Sequence, residues 1–196
     1  MQKNRLSPRE NGRTFAMAMM FESGLGFVGI LVAWLTGCSL AARLMISQWA
    51  LLRGLLACVP MLAMLWVLMR SAWPPLLRLR RQVEEVVQEL FGQSKWWELA
   101  MISLAAGLGE ELLFRGALQP WVASWTTPVV ALVVVSMLFG LAHALSTTYF
   151  LLATVIGGYF GLLTMVFDDL VAPIVAHTVY DFVALMVVKR LVRDQQ

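Results

Sequence analysis

The sequence predicts an all-α membrane protein, a polytopic helix bundle of about six transmembrane helices plus one interfacial amphipathic helix. Three observations support this fold class. Hydrophobic residues make up 60% of the chain and charged residues only 14%, whereas soluble domains are about half apolar and about a quarter charged. The apolar residues are gathered in runs of about 20, the length that crosses a bilayer. Finally, both histidines of the chain fall inside such runs.

Six runs are long and apolar enough to be read as spanning helices. They cover roughly residues 15–36, 49–69, 96–119, 128–145, 149–167 and 170–188. Residues 70–95 separate the first two runs from the others. We therefore expect one integral membrane domain in two parts. Residues 1–95 form an N-terminal two-span region with a cytoplasmic amphipathic helix, and residues 96–196 form a four-helix core.

Residues 74–92 differ from the spans because apolar and charged residues alternate there at helical spacing. The apolar positions recur every three or four residues: Leu76, Leu79, Val83, Val86, Val87 and Leu90. The charged positions lie between them: Arg80, Arg81, Glu84, Glu85 and Glu89. This pattern predicts an amphipathic helix in the cytoplasmic membrane interface, with a solvated linker helix as the alternative.

The basic residues predict that both termini are cytoplasmic. With six spans, the two tails and the loop after the second span lie on one side of the membrane. Most Lys and Arg residues are there: Lys3, Arg5, Arg9, Arg13, Arg70, Arg78, Arg80, Arg81, Lys95, Lys189, Arg190 and Arg193. Basic residues accumulate on the cytoplasmic side. The short basic tail, without an organellar presequence, favours a bacterial inner (plasma) membrane.

Two features of the first span leave alternatives open. The segment ending in Cys38 is similar to a lipoprotein processing site, and cleavage there would leave a lipid on Cys38 and five spans. Glu22 interrupts the apolar run. We expect its side chain either near the cytoplasmic end of the span or facing the bundle. The second cysteine, Cys58, does not form a disulfide framework or a Cys-rich metal site with Cys38.

Ionisable residues inside spanning helices are costly and usually functional. Three predicted spans carry such residues: Glu110, Glu111, Arg115, His143, His177 and Asp181. At a helical rise of about 1.5 Å per residue, the carboxylates and histidines scatter around the middle of a bilayer core about 30 Å thick. Three spans can therefore bring them to one site. A polar cluster that only locks the helices together is the structural alternative.

Helical spacing assigns different surroundings to the two adjacent glutamates. Glu111 and Arg115 are four residues apart with the acid first, the favourable order for an ion pair. Glu110 lies about 100° around the helix from Glu111. Arg115 can therefore neutralise Glu111 while Glu110 remains free to act as a base.

The histidines each have a partner at the same spacing. Phe139 precedes His143 by four residues, so its ring can pack beneath the imidazole and fix its orientation. Asp181 follows His177 by four residues and can orient or charge-stabilise that ring.

The three motifs together, EELLFRG at 110–116, FGLAH at 139–143 and HTVYD at 177–181, resemble those of a known family. It is the CAAX-protease and bacteriocin-processing family, the Abi or Rce1-like intramembrane endopeptidases. The resemblance covers about residues 96–190 and implies that the four-helix core is catalytic. It implies Glu110 as the base that activates water and His143 as a group that positions the water. His177 and Asp181 would stabilise the oxyanion, and Glu111 and Arg115 would support the site. The spacing of Phe139 to His143 gives Phe139 a supporting role as well.

Asp181 departs from the family pattern, which often has Asn at this position. An ionised carboxylate cannot donate a hydrogen bond to an oxyanion. Asp181 is therefore protonated, orients His177 or binds a metal. A divalent metal such as zinc would be held by His143, His177 and Glu110. The sequence has no HExxH helix, the motif of many zinc proteases. We therefore favour a metal-free site, with a divalent metal as the alternative.

The resemblance implies an endopeptidase whose partners are the lipid bilayer and a membrane-associated peptide or protein substrate, with no nucleic acid. Two other functions are compatible with the sequence. One is a non-catalytic scaffold or bacteriocin self-immunity protein with the same fold. The other is a small proton or ion transporter, which the absence of visible inverted repeats disfavours.

Overall fold

The computed structural model describes residues 8–194, so Lys3 and Arg5 of the predicted cytoplasmic tail lie outside the described residues. Every regular element in this range is helical, which confirms the predicted fold class. The α-helices are α1 (Pro8–Thr36), α2 (Gln48–Arg70), α3 (Pro74–Phe91), α4 (Trp96–Glu111), α5 (Gln119–Ala123), α6 (Pro128–Ala142), α7 (Thr147–Phe167) and α8 (Val171–Asp194). A π-helix at Leu112–Leu118 joins α4 to α5, and a 3₁₀ turn covers Ala41–Leu44.

Four described helices are long and apolar enough to cross a membrane: Glu10–Thr36, Gln48–Arg70, Thr147–Phe167 and Val171–Asp194. They correspond to the first, second, fifth and sixth predicted spans. The third predicted span, 96–119, is helical but becomes a π-helix after Glu111. Together these helices support an integral membrane protein.

The predicted extent of the fourth span, 128–145, is wrong. Helix α6 ends at Ala142 and has 15 residues, about 22 Å of helix. The end has a local cause. Nδ1 of His143 lies 2.9 Å from the carbonyl oxygen of Phe139, the acceptor that the His143 backbone N–H would use in an α-helix. That N–H bonds to the Gly140 carbonyl instead, so a side chain has replaced the backbone donor.

Helix α1 packs very closely against α4 and the π-helix because glycines line the contact. A Cβ on Gly29 would lie 2.6 Å from the backbone nitrogen of Leu113, and one on Gly109 would overlap the carbonyl oxygen of Glu22. Small residues permit such close approach between membrane helices. The contact places Glu22 beside the turn of α4 that carries Glu110.

We expect Gly29→Ala to destabilise the fold by roughly 1–3 kcal/mol, because the added methyl group would force the two backbones apart. Gly24→Ala on the same helix is the matched control, since a Cβ at Gly24 has nothing within 4 Å. Unfolding of the purified protein in detergent measures both changes. Equal stability of the two variants would show that α1 does not depend on this contact.

The predicted helix at 74–92 is present as α3, and its apolar side faces the bundle. Val87 packs there against Val188 and Val192 near the end of α8. Its position in a membrane interface stays a prediction. At the other end of the bundle, Arg43 in the 3₁₀ turn forms an ion pair with Asp168 at 3.3 Å.

Candidate active site

The two adjacent glutamates at the end of α4 point to different helices. Oε2 of Glu110 lies 3.5 Å from Nε2 of His143, the residue after α6. Oε1 of Glu111 lies 2.9 Å from Nδ1 of His177 on α8. Both glutamates are buried, and the predicted divergence of their side chains is confirmed. The π-helix begins directly after them. Such segments are rare and frequently mark functional sites, but nothing in the sequence indicated this one.

Arg115, in the π-helix, forms the predicted ion pair with Glu111. Its Nη1 lies 3.1 Å from Oε1 of Glu111, and both side chains are fully buried. Nη2 donates to the carbonyl of Gly157 on α7 at 2.8 Å, and the guanidinium lies 4.3 Å from the ring centre of Phe139. A Cβ at Gly157 would lie 3.1 Å from Nη2. The glycine therefore leaves the space that the guanidinium occupies.

Phe139 fixes the His143 ring through two contacts, one from its own ring and one from its backbone carbonyl. The Phe139 ring stacks on the imidazole at 4.5 Å between ring centres, as the spacing predicted. The Phe139 carbonyl contacts Nδ1 at 2.9 Å, a contact that the sequence did not reveal. A carbonyl oxygen can only accept, so Nδ1 carries the hydrogen in this contact. In the neutral ring, the lone pair of Nε2 then faces Glu110.

His177 lies between two carboxylates. Its Nδ1 contacts Glu111 at 2.9 Å, and its Nε2 contacts Oδ2 of Asp181 at 3.3 Å. The ring also stacks on Phe160 at 4.8 Å. A doubly protonated imidazolium can donate to both carboxylates. The predicted contact with Asp181 is confirmed, and Glu111 has a second partner besides Arg115.

The ionisable side chains of three predicted spans converge at one site, as their similar predicted depth in the bilayer indicated. The Phe139 ring lies between the histidines, 4.5 Å from the His143 ring and 6.1 Å from the His177 ring. Within the described part of the chain, Oε2 of Glu110 is sealed from solvent without a hydrogen-bonding partner. A buried polar atom without a protein partner is uncommon in native proteins and marks Glu110 as a candidate functional group.

The arrangement does not fit the metal site considered from the sequence. Among residues 8–194, no three His, Cys, Asp or Glu side chains come together in a way that could hold a metal ion. Both nitrogens of His177 face carboxylates, and Nδ1 of His143 faces a carbonyl. His143, His177 and Glu110 therefore do not present three ligands to one point. The metal-free site stays a prediction.

Two further side chains approach the site. Tyr149, in the first turn of α7, places its ring 6.4 Å from the His143 ring. Glu22 of α1 lies within electrostatic range of Glu110 and Asp181, so it faces the bundle, one of the two positions expected for it. The sequence did single out Glu22, because it is an acidic residue within the apolar run of the first span. No pattern in the sequence singled out Tyr149.

Fold and site together define a class of protein, a helical membrane protein with a buried centre of carboxylates and histidines. Residues 92–183 match the family described as type II CAAX prenyl endopeptidase Rce1-like, which confirms the family resemblance of the three motifs. At family level, this match supports a CAAX-type intramembrane protease. The match includes all three motifs and leaves α1, α2 and α3 outside. No curated protein and no solved structure is significantly similar to the chain.

Proposed function

We propose that the protein hydrolyses a peptide bond of a membrane-associated peptide or protein, with Glu110 as the base that activates water. The contact between Oε2 of Glu110 and Nε2 of His143, 3.5 Å apart, carries the proposal. Both atoms are hydrogen-bond acceptors when Nδ1 of His143 carries the ring hydrogen. A water molecule can donate one hydrogen to each at an ordinary distance of about 2.8 Å and keep a lone pair for the substrate carbonyl.

The remaining steps use the other histidine. Glu110 takes a proton from the water, and the hydroxide adds to the carbonyl carbon of the peptide bond. The Nε2–H of His177, which faces Asp181 in the resting site, donates to the new oxyanion as well, while Glu111 holds Nδ1–H and keeps the ring in place. Glu110 returns its proton to the nitrogen of the departing amine as the carbon–nitrogen bond breaks.

We expect Asp181→Asn to keep or raise the activity. The amide oxygen can accept from Nε2–H of His177, as the carboxylate does at 3.3 Å, and the amide nitrogen can donate to the oxyanion. The variant should also stay active at higher pH if wild-type Asp181 acts only when protonated. The measurement is a pH–rate profile of both proteins with and without a chelator.

A different outcome would revise the proposed role of Asp181. If its negative charge orients His177 or binds a metal, Asp181→Asn should lose about 10–100-fold in activity. Chelator sensitivity of the wild type together with an inactive Asn variant would establish a metal site. Chelator resistance with an active Asn variant would establish the metal-free mechanism.

Cleavage of a quenched membrane peptide by the purified protein in lipid nanodiscs tests the proposed activity. Cleavage by wild type that Glu110→Gln abolishes supports a protease. Binding of the peptide without cleavage would favour the scaffold or self-immunity function. Proton flux into liposomes carrying the protein would favour the transporter. We propose in addition a bacterial inner membrane location, and the distribution of Lys and Arg leads us to propose that both termini lie in the cytoplasm.

A further inference from the structure

A groove of about 430 Å³ runs between α1 and α4 on the outside of the bundle. Its walls are mainly apolar and include Phe27 and Ile30 of α1 and Met101 and Leu104 of α4. All four of these side chains are more than 40% exposed, so the groove is open along its outer side. Glu22 is the only ionisable residue among the described residues that line it.

Glu22 lies where the groove approaches the active site. Its backbone carbonyl is packed against Gly109, the residue before Glu110. The side chain lies within electrostatic range of Glu110 and Asp181, two other acids, and of both histidines. A group bound at Glu22 would therefore lie close to the proposed site of hydrolysis.

The described residues do not supply a cation dedicated to Glu22. Its Oε2 is sealed from solvent and has no hydrogen-bonding partner within residues 8–194. Arg115 is engaged by Glu111 and Gly157, and His177 by two carboxylates. Acidic groups inside a membrane usually pair with a cation or line a functional pathway, and a cation that pairs with Glu22 would have to come from outside residues 8–194.

We infer that Glu22 binds a positively charged group of the substrate, and that the groove holds the apolar residues next to it. The substrate class is a membrane peptide in which a Lys or Arg adjoins an apolar stretch close to the cleaved bond. The inference rests on the proposed function and adds a specificity determinant to it. Because Glu22 lies outside residues 92–183, the N-terminal helix would supply this selectivity.

The test compares binding of two peptides by Glu110→Gln protein, which should not cleave them. The peptides share one apolar sequence and differ at one position, with lysine in the first and uncharged norleucine in the second. We expect the lysine peptide to bind at least about tenfold more tightly. Adding Glu22→Gln should abolish this preference, and Glu22→Lys should favour a peptide with glutamate at that position. Glu89→Gln, which removes an exposed carboxylate of α3, should preserve the preference.

Equal binding of the two peptides by the protein with Glu22 intact would overturn the inference, even if no Glu22 variant folds. A lysine preference that persists in Glu22→Gln would overturn it as well. Binding and cleavage are separate readouts. A lysine preference in a wild type that cleaves neither peptide would reject the protease proposal and retain the cation site.

Discussion

Glu110→Gln should lower kcat by about 10³-fold and leave the protein folded. A positioned base contributes about 10²–10⁴-fold to a reaction, and an amide cannot take a proton from water. The change is isosteric, and within residues 8–194 the Glu110 side chain has only the 3.5 Å polar contact with His143 to lose. Initial rates of peptide cleavage, together with thermal unfolding in detergent, measure the two effects separately.

Glu110→Asp gives a graded comparison. The carboxylate is kept but withdrawn by one methylene group, and a displacement of about 1 Å can cost about 10²-fold when groups must be aligned. Glu89→Gln makes the same chemical change as Glu110→Gln at an exposed position of α3 and should leave the rate unchanged. If Glu110→Gln keeps a tenth or more of the wild-type rate, another group is the base.

The parts of the site that could be predicted are those set by local spacing. Glu111 with Arg115, Phe139 with His143, and His177 with Asp181 are each four residues apart, and each pair is in contact. Helical geometry alone brings such residues together. The bond between Glu111 and His177 joins residues 66 positions apart, so it depends on how α4 packs against α8. No local pattern contains that information.

The same distinction holds for the fold. Long apolar runs predicted helices, but the end of α6 depends on one side chain that takes a backbone acceptor. The hydrophobicity of a segment does not show that a side chain competes with the backbone for a hydrogen-bond acceptor. The approach of α1 to α4 depends on Gly29 and Gly109 meeting particular atoms of the other helix, and a glycine alone does not reveal its partner. Glu22 could therefore be recognised as unusual but not assigned to the site.

Arg115→Met should destabilise the protein by about 3–5 kcal/mol, the usual cost of removing one member of a buried ion pair, and His177 is then the remaining partner of Glu111. Both Arg115 and Glu111 are fully buried, so water cannot solvate the remaining carboxylate. The Gly157 carbonyl would also lose its donor. Unfolding in detergent, followed by circular dichroism, measures the loss.

The double variant Glu111→Gln/Arg115→Met removes both charges of the pair and is the matched control. It should recover roughly 1–3 kcal/mol relative to Arg115→Met, the range found for residues in direct contact. The turnover of the double variant should be below that of wild type, because Glu111 also holds Nδ1 of His177 at 2.9 Å. A neutral amide stabilises a charged ring less well than a carboxylate does. If Arg115→Met is instead as stable as wild type and loses only turnover, the guanidinium acts in the reaction, and Arg115 belongs with Glu110 and the histidines.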